Sequence, residues 1–296
     1  MLTSLSGSEV VHVIGENFYP EEIRVKPFNV LQAKTMQRMS LTGDVNGIIK
    51  LVGECISIDV NHLFQDDFKY IIHWLRLNSF KDFPRILRWK CPLCNEENEN
   101  SVTSSSLIYK DVSSELTNGG LWMKMDTFDN GIFVRAQKIS DEKFTSDLLK
   151  KERIPEENIE MTNIIMNLNL MRNKENSISL DDLYVLYKNN RFTTDDMAAL
   201  DTFREDYSWG VEDKYKFTCS HCQEEVIVDS SFNITTFFQF DGSKRNLRKR
   251  ILSNVPTTAA ISTVGTDGVQ GVLMDVQETR STSGGVEAET GGTGIS

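Results

Sequence analysis

The chain has 296 residues, a formal net charge of −11 and a pI of about 5.0. This length predicts either two domains or one domain that carries an insertion. The acidic balance argues against general binding to nucleic acid or to anionic membranes. No apolar run approaches the roughly 20 residues that a transmembrane helix needs. We therefore expect a protein that folds around an ordinary packed core.

The first region, residues 1–97, is predicted to mix strands and helices. Residues 22–28 alternate polar and apolar side chains, which predicts a half-buried strand that ends at Pro27. Apolar residues at helical spacing then predict three helices, over 29–41, 45–56 and 66–79. The first of these helices is expected to place four apolar residues near one face: Val30, Leu31, Met36 and Met39.

The helix predicted over 66–79 is the most informative of the three. Asp66 is a natural N-cap, and Asp67 in the first turn complements the helix dipole. His73 and Arg76 project from a different sector than the apolar stripe of this helix. They are interpreted either as the exposed side of a surface helix or, more specifically, as an edge that faces a partner. Both interpretations predict that these two side chains are accessible.

The second region, residues 98–214, is predicted to be an insertion that is mainly helical and acidic. Asp129, Asn130 and Gly131 form a good turn, so residues 121–136 predict a β-hairpin. Four helices are expected after it, over about 140–151, 155–169, 178–188 and 193–206. Pro155 is acceptable in a first helical turn, and acidic pairs at the helix starts are interpreted as capping residues.

Two short motifs on either side of this insertion match each other. Trp89 leads into Cys-Pro-Leu-Cys, and Phe217 leads into Cys-Ser-His-Cys; a polar residue and two glutamates follow each motif. A Cys-x-x-Cys knuckle directs two thiolates at one metal, so two knuckles supply the four ligands of a tetrahedral structural Zn²⁺ site. The predicted ligands are Cys91, Cys94, Cys219 and Cys222. Because 124 residues separate Cys94 from Cys219, the zinc ribbon must be split by the insertion.

Other interpretations of these cysteines remain open. A thioredoxin-like site would contain one Cys-x-x-Cys at a helix start, and structural disulfides would need an oxidising compartment, whereas the N-terminal residues do not resemble a secretory signal. A metal-free pair of knuckles is the third alternative. His221, inside the second knuckle, either competes as a ligand or is an exposed bystander. Cys55 lies in an apolar helical pattern and is expected in the core.

The third region, residues 215–256, contains the second knuckle and its closing strands, predicted over 215–218 and 225–229. Residues 244–250 contain five cations in seven residues and are interpreted as a solvated helix end or as a contact for an acidic protein or nucleic acid. Residues 257–296 are rich in Gly, Thr, Ser and Val, and we expect a disordered tail there. The predicted fold class is thus α+β, with a split four-cysteine zinc ribbon, an inserted helical segment and a disordered C-terminal tail.

Several of these features together resemble the T4-like bacteriophage baseplate hub assembly family. The resemblance rests on the Ile-x-Val-x-Pro-Phe strand at 23–28, the Asp-Asp helix that ends in Leu-Arg-Leu-Asn-Ser, the Cys-Pro-Leu-Cys motif after it, and the second knuckle followed by Phe237 and Phe238. It covers roughly residues 20–97 and 215–240. The resemblance implies a phage structural or assembly protein that contacts other hub or tail proteins. It implies synthesis in the cytoplasm of the infected bacterium and leaves open whether the protein remains in the virion baseplate.

The residues themselves also favour binding over catalysis. The sequence has no Gly-rich phosphate loop, no Gly-x-Ser-x-Gly and no His-Glu-x-x-His motif, and its four histidines are scattered. The alternatives are a zinc-ribbon protein that binds nucleic acid or acts in transcription, and an enzyme with a structural zinc. The negative charge opposes the nucleic-acid alternative.

Overall fold

A computed structural model of the chain describes residues 7–81 and 84–239. Its helices, in chain order, are α1 (Val30–Thr42), α2 (Val45–Gly53), α3 (Gln65–Ser79), α4 (Ile139–Lys151), α5 (Ile159–Leu170), α6 (Leu180–Lys188), α7 (Thr194–Asp206) and α8 (Ile234–Phe237). Its strands are β1 (Glu9–Val10), β2 (Arg24–Val25), β3 (Ile86–Lys90), β4 (Glu97–Ser101), β5 (Leu107–Lys110), β6 (Gly120–Met125), β7 (Phe128–Arg135), β8 (Gly210–Thr218) and β9 (Glu225–Asp229). The mixture confirms the predicted α+β class. The cationic run 244–250 and the predicted tail 257–296 lie outside the described residues.

The N-terminal region packs three helices around one apolar core. An Asn29–Gln32 capping box starts α1, and Gly43, with a φ of 72°, ends it, because only glycine adopts this left-handed backbone at no steric cost. Two predictions for this region, one about side chains and one about the length of a strand, differ from the structure. Val30 and Leu31 are each 74 % exposed, so α1 contributes Met36 to the core instead. The strand expected over 22–28 is confined to Arg24–Val25.

Helix α3 lies at the centre of this region and differs from its prediction in two ways. It begins at Gln65, so Asp66 is a first-turn residue and not the N-cap. His73 and Arg76 are buried, at 3 % and 4 % exposure, so the predicted partner-facing edge is wrong. They are buried because α3 is covered on this side too: the His73 ring lies 4.6 Å from that of Phe237, and α3 packs against β8.

The inserted region has its own core, formed by the β6–β7 hairpin and α4 to α7. The structure contains the β-hairpin predicted over 121–136, with strands that pair antiparallel from Gly120 opposite Arg135 to Met125 opposite Phe128. The turn expected at Asp129, Asn130 and Gly131 is wrong, since these residues lie in β7. The chain reverses at Asp126 and Thr127, whose N–H groups donate to the Asp196 carboxylate. Asn158 caps α5, so this helix starts after Pro155 and not at it. The N-cap of α6 is Ser179 and that of α7 is Thr193, so the acidic pairs occupy the first turns of these helices and are not the N-caps. Side-chain capping thus fixes the residues at which these helices begin.

One acidic residue that we interpreted as part of a helix start has a different role. Asp67 is fully buried, and its carboxylate accepts three hydrogen bonds from distant residues: the Gly15 N–H at 3.0 Å, the Tyr19 hydroxyl at 2.8 Å and the Trp209 indole N–H at 3.0 Å. Tyr19 packs against both the N-terminal core and the core of the insertion. Asp67 therefore joins α3 to the segment before it and to the segment that follows α7.

Strands β3 and β4 form one antiparallel hairpin and β8 and β9 form another; these are the two ribbon hairpins, which carry the two cysteine motifs. Strand β3 pairs antiparallel with β4, and β8 pairs antiparallel with both β9 and β5. Strand β5 and most of β4 and β8 lie within residues 98–214, so the sequence region predicted as an insertion also supplies strands to the ribbon sheets. The predicted boundaries at 97/98 and 214/215 stay predictions. All described residues belong to one compact unit, Met1–Gly242.

None of the helices within residues 7–81 and 84–239 has the length and apolar character that crossing a membrane requires.

Candidate metal centre

The first knuckle is the turn between β3 and β4. The last strand pair before it is Lys90 opposite Glu97. Within the turn, the Cys91 N–H donates to the Glu96 carbonyl at 2.9 Å, and the Asn95 N–H donates to the Cys91 carbonyl at 2.8 Å. Asn95 has a left-handed backbone with a φ of 65°, a conformation that asparagine tolerates better than most residues. These bonds close the turn with both cysteines on it.

The second knuckle, between β8 and β9, repeats this geometry. The Cys219 N–H donates to the Glu224 carbonyl at 2.9 Å, and the Gln223 N–H donates to the Cys219 carbonyl at 3.0 Å. Gln223 occupies the position of Asn95 and has nearly the same φ, 64°. The similarity of the two motifs in the sequence is therefore a similarity of backbone structure.

The structure brings the four predicted cysteines together. Their sulfur atoms all lie within 4.8 Å of one another; Cys91 Sγ is 3.8 Å from Cys222 Sγ, and Cys94 Sγ is 3.6 Å from Cys219 Sγ. A tetrahedral site with Zn–S bonds of about 2.3 Å has sulfur–sulfur edges of about 3.8 Å. A disulfide requires about 2.05 Å, and all four cysteines are free. The spacing fits four thiolates around one metal ion.

Asn98 is a part of this site that the sequence did not reveal. Its buried amide donates to Cys219 Sγ at 3.4 Å, and its carbonyl oxygen accepts from the Ser220 N–H at 2.9 Å and the Ser220 hydroxyl at 2.8 Å. One side chain of the first hairpin thus fixes the second knuckle. Asn98 stands in a run of glutamates and asparagines, so no local pattern distinguishes it from its exposed neighbours.

Hydrogen bonds within the second knuckle favour ionisation of one sulfur, that of Cys219, whereas burial and the neighbouring thiols raise the pKa of Cys94 and of Cys222. The backbone N–H groups of Cys222 and His221, with Asn98, lower the pKa of Cys219 to about 6. Stabilisation of the thiolate by N–H donors is what a metal ligand requires, because the thiolate is the form that binds metal.

A small apolar core supports the site from one side. Trp89 and Phe217, each two residues before a knuckle, stack with ring centroids 6.1 Å apart and planes 15° from parallel. They belong to a buried cluster that also contains Tyr215 and Val226. The aromatic lead-ins of the two motifs therefore hold the two hairpins together beside the cysteines.

The other two candidate residues lie apart from this centre. His221 is exposed, and its imidazole does not belong to the cysteine cluster. Cys55 is buried in the N-terminal core at 1 % exposure, as predicted, and burial raises the pKa of its thiol to about 11. The burial and the raised pKa of Cys55 are those of an unreactive thiol in a hydrophobic core.

The fold and the cysteine centre together define an α+β protein whose two ribbon hairpins, separated by a helical region, meet at four thiols. The chain matches the family described as T4 bacteriophage base plate protein over residues 12–239, which include α1 to α8 and both knuckles. Since the match covers more than half of the chain, the protein belongs to this family and is a phage baseplate protein. Separate comparisons with curated proteins and with solved structures returned no match.

Proposed function

We propose that the protein is an assembly or structural component of the phage baseplate hub or tail, that it acts by binding other proteins, and that one structural Zn²⁺ stabilises its ribbon. The proposed ligands are Cys91, Cys94, Cys219 and Cys222. The observation that carries the proposal is the convergence of these four thiols from two distant segments in a chain of the baseplate family.

Zinc is the metal that fits this donor set best. Four sulfur donors at tetrahedral spacing are typical of structural zinc or of iron–sulfur chemistry, and a single ion held by four cysteines between two knuckles is the usual zinc arrangement. Four protein ligands leave no open position for water. We therefore propose a structural role for the metal and no part in catalysis.

Binding to proteins is the activity that the surface and the family favour. The net charge of −11 opposes contact with a nucleic-acid backbone. We propose that the partners are other hub or tail proteins of the baseplate, that contact occurs in the cytoplasm of the infected bacterium, and that the protein is incorporated into the virion baseplate.

The zinc proposal is tested by the metal content of the purified full-length chain. Elemental mass spectrometry should find one zinc per chain. A thiol-reactive dye should label Cys94 and Cys222 only after a chelator has removed the metal. Well under one zinc per chain, with all four thiols reactive, would contradict the proposal.

The binding proposal is tested by affinity capture of the tagged chain from infected cells, with quantitative mass spectrometry of what is retained. Hub or tail proteins should be enriched over a tagged control protein, and the chain itself should be found in purified baseplates. Tight binding of the purified chain to duplex DNA, with a steep salt dependence, would instead support the nucleic-acid alternative.

A further inference from the structure

A cleft of about 460 Å³ lies beside α3, away from the cysteine centre. One wall is the C-terminal half of α3, and the others come from the segment before β3 and the segment that leads into β5. A cavity of this size holds one or two side chains of a partner and not a nucleic-acid duplex.

Cations surround this cleft in a protein that is strongly acidic overall. Arg76, Lys81 and Arg85 line it, and no carboxylate does so among residues 7–81 and 84–239. Within the same residues, neither Arg85 nor Lys81 forms an ion pair with an acidic side chain. Burial, and then the charge of Arg85, lowers the pKa of Arg76 to about 10. The cleft is therefore a concentration of positive charge that a carboxylate would stabilise.

The guanidinium of Arg85 is held in place before any ligand arrives. It donates to the Tyr215 hydroxyl at 2.8 Å and to the Ser230 hydroxyl at 3.3 Å, and it lies 5.0 Å from the centre of the Phe237 ring. An arginine fixed in this way loses little side-chain entropy when it pairs with a carboxylate.

Aromatic side chains line the same cleft as these cations. Tyr70 and Tyr109 lie 5.9 Å apart between ring centres, and Tyr109 is 42 % exposed. Trp74 also lines the cleft. Tyrosine, tryptophan and arginine are the residues that contribute most to binding at protein interfaces.

We propose that this cleft binds an acidic segment of a partner protein, with a carboxylate that pairs with Arg85 and Lys81 and an adjacent apolar side chain that packs on Tyr70 and Tyr109. The proposal rests on the proposed function, since the segment would belong to another baseplate protein. A protein carboxylate is favoured over a phosphate ligand because aromatic side chains line the cleft beside the cations and would contact the apolar neighbours of a carboxylate in a polypeptide.

The test uses the full-length, metal-loaded chain and a fluorescent peptide of alternating leucine and glutamate. A peptide of alternating leucine and glutamine is the neutral counterpart. Lys81→Glu changes an exposed residue at the mouth of the cleft, and Arg85→Gln removes the charge at its base. Lys124→Glu, on the exposed side of β6, makes the same charge change as Lys81→Glu outside the cleft.

The glutamate peptide should bind saturably and more tightly than the glutamine peptide. Arg85→Gln should weaken this binding about tenfold because a charged hydrogen bond is lost, and Lys81→Glu about fivefold. Lys124→Glu should leave it unchanged. If Arg85→Gln lowers the melting temperature, Lys81→Glu still decides the result, because its side chain is exposed.

Three outcomes would overturn the proposal: equal binding of the two peptides, unchanged affinity in Lys81→Glu, or tighter binding of inorganic phosphate or single-stranded DNA than of the glutamate peptide. Affinity capture with the Lys81→Glu chain separates this proposal from the proposed function. If the Lys81→Glu chain retained every baseplate partner, the proposal for the cleft would be contradicted and the proposed function would not. Absence of baseplate partners from the wild-type capture would contradict the proposed function whatever the peptides show.

Discussion

Two sites in this molecule connect segments that lie before and after the helical region, and they use different chemistry. The thiol site consists of Cys91, Cys94, Cys219 and Cys222, whose sulfur atoms lie within 4.8 Å of one another. The carboxylate site consists of Asp67 and the three groups that donate to it, from Gly15, Tyr19 and Trp209. Both sites join residues that are more than 100 positions apart in the sequence.

The difference between the two sites is how each one satisfies its charge. Four thiolates at this distance would repel one another, so the proposed Zn²⁺ would stabilise the ionised form of the thiol site. Burial raises the pKa of Asp67, and the three N–H or O–H donors oppose this shift, so hydrogen bonds within the chain satisfy this carboxyl group without a metal. The ribbon should therefore depend on metal supply, whereas the junction at Asp67 should depend only on the folded chain.

The largest effect is expected from removing one ligand of the thiol site. Cys219→Ser should abolish stoichiometric zinc binding and forfeit much of a binding free energy that is about 10–16 kcal/mol for structural zinc in small peptides. Since whole domains are stable by only about 5–15 kcal/mol, we expect the two ribbon hairpins to unfold at ambient temperature. Metal analysis and thermal unfolding, measured on the same sample, check this result.

Cys55→Ala is the matched control for this experiment, because it also removes one buried thiol. It should leave the zinc content unchanged and cost only the packing of one small side chain, about 1 kcal/mol. A Cys219→Ser chain that retained both zinc and its melting temperature would show that the thiol site is not what holds the hairpins together.

The second largest effect is expected from the carboxylate site. Asp67→Ala leaves three donors without their acceptor, and at least two of them are in buried surroundings, so the free energy of unfolding should fall by about 3–5 kcal/mol. The zinc content should not change. Urea denaturation, with the midpoint and slope determined separately, measures the loss.

Asp195→Ala is the control for Asp67→Ala, since Asp195 also lies in the first turn of a helix but is exposed. Only its interaction with the helix dipole is lost, which is worth about 0.3–1 kcal/mol. Equal losses in the two variants would mean that Asp67 contributes no more than an ordinary first-turn acid.

The sequence predicted the four cysteines of the thiol site but neither Asn98 beside them nor the carboxylate site, and the reason is the range of the interactions. A Cys-x-x-Cys knuckle is a local motif, and its duplication identifies the partner motif at any distance. Asp67 has the same local pattern as other acids at helix starts, and its partners are ordinary Gly, Tyr and Trp residues far along the chain. A single sequence contains no signal that connects them.

The burial of α3 was missed for a related reason. Helical periodicity marks the apolar stripe that faces the N-terminal core, and it assigns the other sectors to solvent. His73 and Arg76 lie in one of those sectors, which β8 and Phe237 cover in the folded protein. The covering elements follow α7, far along the chain from α3, so local pattern could not place them on α3.

A smaller effect, which depends on pH, is expected at Asp66. Burial raises the pKa of this carboxyl to about 7; the Trp209 N–H opposes the shift, and the charge of Asp67 adds to it. Because the pKa is about 3.9 in the unfolded chain, the folded state binds this proton more tightly, and its stability decreases as pH rises from about 4 to 7.

Asp66→Asn should therefore gain about 2–3 kcal/mol relative to the wild type between pH 5 and pH 7.5. Unfolding by urea across this range, in the presence of excess zinc, measures the difference between the two proteins. A constant difference would show that the pKa of Asp66 is not raised.

The smallest effect compares the two knuckles directly. Asn95 and Gln223 occupy equivalent left-handed positions, with φ of 65° and 64°, and asparagine adopts this backbone more readily than glutamine. Gln223→Asn should thus stabilise the zinc-loaded protein by about 0.5 kcal/mol, and Asn95→Gln should destabilise it by a similar amount. The Gln223 side chain donates to the Ser220 carbonyl at 2.9 Å, but this bond is exposed and contributes little.

Thermal unfolding of both variants in excess zinc measures the two changes. If both variants were destabilised, the bond to Ser220 would outweigh the backbone preference, and the two knuckles would be alike in shape but not in what stabilises them.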